Sequence, residues 1–225
     1  MSAPLGKIVQ TALSTHTATV IFIHGLGDSG HGWAPVAKEL AKILPHVKFI
    51  LPHAPAQPVT LNFGMEMPSW YDIKSLDKID DTEDEAGILQ SVARINQLIG
   101  DEVNNNIPAH RVAVAGFSQG AAVSLLTGLT SERKLGAIAA LSGYLPLSTK
   151  VFSMASDANK QTPIFMGHGD EDEVVRFQYG QGSSEALKAK GYTVAFHKYP
   201  HMAHSCCNDE IRDLAMFLAS ALPNN

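Results

Sequence analysis

The string Gly116-Phe117-Ser118-Gln119-Gly120 constrains this chain more than any other, because of what flanks it. Before it, Arg111-Val112-Ala113-Val114-Ala115 is short, apolar and partly β-branched, the pattern of a buried strand. After it, Ala121-Ala122-Val123-Ser124-Leu125-Leu126 is rich in small residues and leucine, the pattern of a helix. G-x-S-x-G between a strand and a helix describes a nucleophile elbow. Such a turn admits only glycine-sized neighbours and lifts the serine hydroxyl clear of the sheet edge. It also aims the backbone N–H of the next residue at the space above that hydroxyl. The competing reading is a serine that merely starts a helix; the flanking strand and glycines favour a nucleophile at Ser118.

Around that point, short apolar runs alternate with longer helical patterns. Strands are expected over 19–23, 47–51, 111–115, 136–141, 163–167 and 193–198. Helices are expected over 33–44, 84–103, 119–129, 177–190 and 208–221. Apolar runs without alternation suit strands covered on both faces, as in a parallel sheet. The pattern therefore predicts one doubly wound α/β domain over 1–225, with its site at the carboxyl ends of the strands. Residues 52–70 form the one long irregular segment, punctuated by four prolines, and loops of that length are usually functional. The acidic stretch 77–85 reads as a solvated helix start, since no calcium-loop spacing is present.

Composition narrows the partners. A net charge of −5 offers no electrostatic reason to bind nucleic acid, and no basic amphipathic stretch suggests a membrane surface. No apolar run reaches bilayer length, so stable membrane insertion is not expected. The opening residues Met1–Lys7 lack the apolar core of a signal peptide. The two cysteines, Cys206 and Cys207, are adjacent and form no disulfide framework. A cytoplasmic location is expected, with the nucleus as a second compartment.

A serine hydroxyl needs a base within hydrogen-bond reach, and the base needs an acid to hold it. On this kind of fold they follow in the order serine, acid, histidine. Downstream of Ser118 come His168-Gly169-Asp170-Glu171-Asp172-Glu173 and then Pro200-His201-Met202-Ala203-His204, each after an expected strand. Spacing does not choose between Asp170 and Asp172. A second loop, His24-Gly25-Leu26-Gly27-Asp28-Ser29-Gly30, satisfies G-x-G-x-x-G. A dinucleotide site would need an acid at the end of the next strand, where Leu51-Pro52-His53 stands instead. The alternative is a loop that supplies an oxyanion donor. The donors would be the N–H groups of Leu26 and Gln119, and losing one typically costs about 100- to 1000-fold in rate.

Several strings together resemble one family. They are His24-Gly25-Leu26-Gly27-Asp28 with Gly32-Trp33, Pro52-His53-Ala54-Pro55, Pro68-Ser69-Trp70-Tyr71-Asp72, the elbow itself, Leu145-Pro146-Leu147, and His204-Ser205. The chain resembles the acyl-protein thioesterases of the cytosolic lysophospholipase/carboxylesterase family, over essentially its whole length. The resemblance implies an α/β-hydrolase fold and a triad of Ser118, Asp172 and His204, working without a cofactor or metal. It implies action on palmitoyl groups of S-acylated proteins, with lysophospholipids and small esters as further substrates. Two positions depart from the family: Glu173 replaces a proline after the acid, and His201 replaces a glycine. His201 with His204 has metal-ligand spacing, but no third ligand accompanies the pair. His24, His53 and His168 are expected as structural groups around the loops.

The acyl chain needs an apolar wall. Val59, Leu61, Phe63, Met65 and Met67 alternate with other residues ahead of Trp70, and Met suits a channel of variable contents. Leu61, Phe63, Met65 and Trp70 are thus candidate substrate contacts, against the plainer reading that they cover the core. Tyr144 and Val174 join that wall by resemblance alone.

Overall fold

The structure, a computed structural model, describes residues 5–76 and 83–224. In chain order the elements are β1 (Lys7–Gln10), β2 (Ala18–Ile23), α1 (Gly30–Ile43), β3 (Val47–Pro52), β4 (Ala56–Val59), β5 (Met65–Pro68) and α2 (Glu85–Asn104). There follow β6 (Val112–Phe117), α3 (Gln119–Thr130), β7 (Ala137–Leu141), α4 (Val151–Met154), β8 (Ile164–Gly169), α5 (Phe177–Ala189), β9 (Val194–Tyr199) and α6 (Asn208–Ala221). One sheet runs β1-β3-β2-β6-β7-β8-β9, and only β1 lies antiparallel to its neighbour. A separate antiparallel ribbon pairs β4 with β5.

Period-two side-chain alternation explains the two layers of core. Ile21, Ile23, Val112, Val114 and Ile138 face one side, where α2, α3 and α5 cover them. Val20, Phe22, Ala113, Ala115, Ala137 and Ala139 face the other, beneath α1 and α6. The central strands thus read as continuous apolar runs because both faces are buried. Helix α3 is apolar all round and buried from Gln119 to Leu129, as a helix lodged inside a fold must be.

The six expected strands and five expected helices all appear, shifted by a few residues at their ends. Helix α1 starts earlier than expected, at Gly30, because Ser29 accepts from the His31 N–H as its cap and Pro35 sits close to the start. Arg111 is not in a strand: it closes a short turn and its guanidinium donates to the carbonyls of Thr17 and Pro223. Of the acidic stretch, 77–82 lies outside the described residues. Asp84 caps α2 by accepting from Gly87 N–H at 3.0 Å. Four elements were not foreseen, among them the single-turn helix α4. Strand β1 has too few apolar residues to signal itself, and β4 with β5 makes a hairpin of what reads as an irregular segment.

Both glycines of the elbow are required by close approach. A Cβ on Gly116 would collide with the Gly120 carbonyl, and one on Gly120 with the Ile23 carbonyl. Gly116→Ala should therefore destabilise the fold by about 1–3 kcal/mol, as overpacking does. Thermal unfolding measures it; an unchanged Tm would show the turn to be looser than described.

Candidate active site

Ser118 occupies the residue before α3, where a serine ordinarily caps the helix with its hydroxyl. Here it makes no cap bond, and its backbone stands at φ 54° and ψ −119°. Its Oγ lies 2.9 Å from His204 Nε2. His204 Nδ1 in turn lies 2.7 Å from Asp172 Oδ2. The other carboxylate oxygen of Asp172 accepts the N–H groups of Val174 and Val175, each at 2.9 Å. Burial pushes the Asp172 carboxyl upward, but hydrogen bonds from His168 and His204, the nearby imidazole charge and the Val175 N–H hold it well below the usual carboxylate range. An ionised carboxylate only accepts, so the His204 nitrogen that faces Asp172, Nδ1, carries a proton, and Nε2 faces Ser118.

Of the two aspartates, Asp172 lies against His204 and Asp170 does not. Asp170 turns outward, accepting from His201 N–H at 2.7 Å and lying 3.4 Å from Lys198 Nζ. His201 itself has φ 59°, the left-handed backbone that suits the family's glycine. Its exposed imidazole pairs with Glu171 at 2.7 Å, so it and His204 do not converge on one point. Among the described residues no group of three or more His, Cys, Asp or Glu side chains could hold a metal.

Other histidines brace the loops, as expected. His24 Nδ1 lies 2.7 Å from Gly25 O, while its Nε2 accepts from Ala54 N–H at 3.0 Å. Burial lowers its pKa, in keeping with a neutral ring. His53 accepts from Gly30 N–H, and His168 Nε2 lies 2.7 Å from Val175 O, on the loop that carries Asp172. The Phe117 ring rests 4.9 Å from that of His204.

Leu26 and Gln119 line one cavity of about 230 Å³ together with Ser118 and His204. Neither backbone N–H meets an acceptor among the described residues. The Gln119 side chain was missed in sequence. Its Oε1 accepts from Trp70 N–H at 2.9 Å, and its Nε2 donates to Ser69 Oγ at 3.0 Å and Tyr71 O at 2.7 Å. Gln119 is buried, and its amide finds partners only through this long-range pairing.

Leu61, Tyr144 and Val174 line the cavity, joined by Asn62, Ile73 and Leu76, which sequence reading did not select. Phe63, Met65 and Trp70 do not. The chain turns back between β4 and β5, so strand alternation does not extend through residues 60–64. Phe63 adopts φ 57° in that turn and is 97 % exposed, and Met65 is 59 % exposed. Trp70 is buried behind the site, donating from Nε1 to His24 O at 2.8 Å while Ser91 Oγ donates to its carbonyl.

Beneath the histidine loop sits Glu210, in the first turn of α6, fully buried with neither carboxylate oxygen partnered among the described residues. Burial, and then Asp213, push its carboxyl up to about 8. Cys206 is a packing residue whose thiol is likewise pushed up by burial.

Fold and site together define a serine hydrolase on an α/β-hydrolase scaffold. The chain belongs to the phospholipase/carboxylesterase family, whose model matches residues 6–222. It is 50 % identical over 237 residues to acyl-protein thioesterase 1 of Cryptococcus neoformans, covering 99 % of this chain and 100 % of that one. With the Yarrowia lipolytica protein of the same name it shares 49 %, covering 96 % of each chain. The crystal structure of Zea mays acyl-protein thioesterase 2 superposes with a TM-score of 0.84 at 30 % identity, covering 96 % of this chain and 99 % of that one. Arabidopsis thaliana SOBER1 gives 0.87 at 32 %, with 91 % and 99 % covered.

Two outcomes follow from this geometry. Leu61→Asp should lower activity on long-chain esters at least tenfold relative to short ones, an effect of roughly 1.4 kcal/mol or more, while Phe63→Asp leaves that ratio unchanged. Kinetics on an ester series decides; equal effects would return Phe63 to the wall. Glu210 sets a pH dependence of stability. Its folded pKa stands above the unfolded value, so from about pH 4.5 to about 8 the folded state holds a proton the unfolded chain has lost. That contribution to stability is therefore full at low pH and falls as pH rises. Glu210→Gln should gain in Tm over the parent between about pH 5 and 8.5; melts showing a constant difference would refute it.

Proposed function

We propose that this chain is an acyl-protein thioesterase that removes palmitoyl and similar long acyl groups from protein cysteines. One observation carries the reading: Ser118, His204 and Asp172 make an unbroken line of hydrogen bonds, 2.9 and 2.7 Å, whose Ser118 and His204 members line a largely apolar cavity. His204 Nε2 takes the proton of Ser118 Oγ as that oxygen attacks the acyl carbonyl. The developing oxyanion settles between the N–H groups of Leu26 and Gln119, neither of which is bonded to an acceptor among the described residues. Asp172 holds Nδ1–H and stabilises the imidazolium. The carbon–sulfur bond breaks, and the departing sulfur takes the proton from His204. Water, deprotonated by His204, then attacks the acyl-enzyme and releases the fatty acid.

A thiol with pKa of roughly 8.5 departs with little help from an acid, so a thioester suits this site. The cavity supplies selectivity for the acyl part, each buried methylene contributing about 0.8 kcal/mol. Relatives named acyl-protein thioesterase at about half identity support the thioester over other leaving groups. The same cavity accepts the acyl part of lysophospholipids and small esters, which form the second substrate class. The two free cysteines are in keeping with a reducing compartment, the cytoplasm.

Intact-mass spectrometry with an S-palmitoyl peptide should reveal a palmitoyl adduct on the parent and none on Ser118→Ala. Asp172→Asn should lower kcat by about 10³- to 10⁴-fold, since the histidine then loses its tautomer. A parent that neither forms the adduct nor reacts with a fluorophosphonate would defeat the proposal.

A further inference from the structure

Beside the catalytic cavity lies a second one, of about 220 Å³, whose walls include Leu145, Ser148, Tyr179, Gly182, Ser183 and Ala186. Of the described residues, Tyr144 alone lines both. It is buried, and its hydroxyl meets that of Tyr71 at 2.8 Å. Tyr71 is itself fixed, because its carbonyl accepts from Ser69 Oγ and Gln119 Nε2. The partition between the two cavities is therefore pinned to the clamp that holds the start of α3.

Volume gives the partition a meaning. An apolar cavity of about 150 Å³ holds the six carbons of benzene, so by proportion the catalytic cavity holds roughly nine carbons of an acyl chain. A palmitoyl tail overruns it, and the second cavity provides about as much space again. Breaking one neutral hydrogen bond costs about a factor of ten, which the burial of two methylenes already offsets.

We propose that Tyr144 is the acyl-length determinant of this enzyme. Chains of up to about nine carbons lie wholly in front of it. The tail of a longer chain enters the second cavity as the Tyr144 side chain turns aside and gives up its bond to Tyr71. The inference rests on the reading of the catalytic cavity as the acyl site, and it extends that reading to a named partition.

The test fills the second cavity from its far side. A side chain at Gly182, on α5, would meet nothing within 4 Å of its Cβ. Gly182→Phe should lower the ratio of kcat/KM for C16 over C8 nitrophenyl esters by about tenfold, the worth of about two buried methylenes. Tyr144→Ala should raise the same ratio by a similar factor, and Gly182→Phe added to it should cancel the gain. A ratio does not depend on how much of each variant folds. An unchanged ratio in Gly182→Phe, with the tail leaving past Leu61 to solvent, overturns the proposal. S-palmitoyl peptide cleavage is followed in parallel. A shifted ratio with the peptide left intact keeps the partition and rejects the thioester reading, whereas peptide cleavage with an unchanged ratio does the reverse.

Discussion

The backbone of Ser118 is the constraint on which everything else stands. A residue bearing a side chain avoids φ 54° with ψ −119°, and holding it there costs on the order of 1–3 kcal/mol. The surrounding fold over-determines it. Ser118 N–H donates to Leu141 O at 2.9 Å, binding the turn to the end of β7. Gly120 lies hard against the Ile23 carbonyl at the end of β2, so the start of α3 is wedged over two central strands. Relaxing the turn would mean separating β6 from β2 and β7, which the two core layers forbid. The strain keeps the hydroxyl out of the helix cap and leaves it for His204.

Electrostatics then orients the imidazole that faces that hydroxyl, the proposed base. Asp172 is buried, yet its oxygens accept from two backbone N–H groups and from two imidazoles. A buried carboxylate without such partners would take a proton, and a protonated acid could no longer fix the histidine tautomer. His168 extends the arrangement, since its Nε2 lies against both the Val175 carbonyl and Asp172. The loop 170–175 is thus folded around its acid. Glu210, six residues after His204, shows the opposite case: a buried carboxyl without partners among the described residues, which holds its proton toward neutral pH.

Much of this was legible in sequence because the features are local. The elbow needs two glycines at fixed offsets, and the parallel strands need apolar runs; both are printed in consecutive residues. Asp172 against Asp170 was not legible, because the two differ only in where the loop points them. Spacing is blind to that, and the likeness to a family made the selection. The β4–β5 hairpin was hidden by four prolines and by its isolation from the main sheet. Reading 59–67 as one alternating run carried Phe63 and Met65 into a wall that the turn at 60–64 directs them away from. The Gln119 and Trp70 bonds were hidden for a different reason. They join positions some 49 residues apart, and no local pattern carries such a pairing.

That long-range pairing unites the chemistry with the pocket. Residues 69–71 cross behind the site, and each makes a different connection there. Ser69 and Tyr71 O hold the Gln119 amide, Trp70 holds His24 and α2, and the Tyr71 ring reaches Tyr144. The proposed oxyanion donors are the backbone N–H of Gln119 itself and that of Leu26, two residues after His24. The segment behind both proposed donors therefore also holds, through the Tyr71 hydroxyl, the partition at Tyr144. A chain that stops at Tyr144 leaves that network whole. A palmitoyl tail, in the proposal above, breaks only its outermost bond, Tyr144 to Tyr71, and leaves the Gln119 amide held by Ser69 Oγ and Tyr71 O. Binding energy gained along the apolar tail is then not spent on disordering the reacting end, as catalysis by differential binding requires.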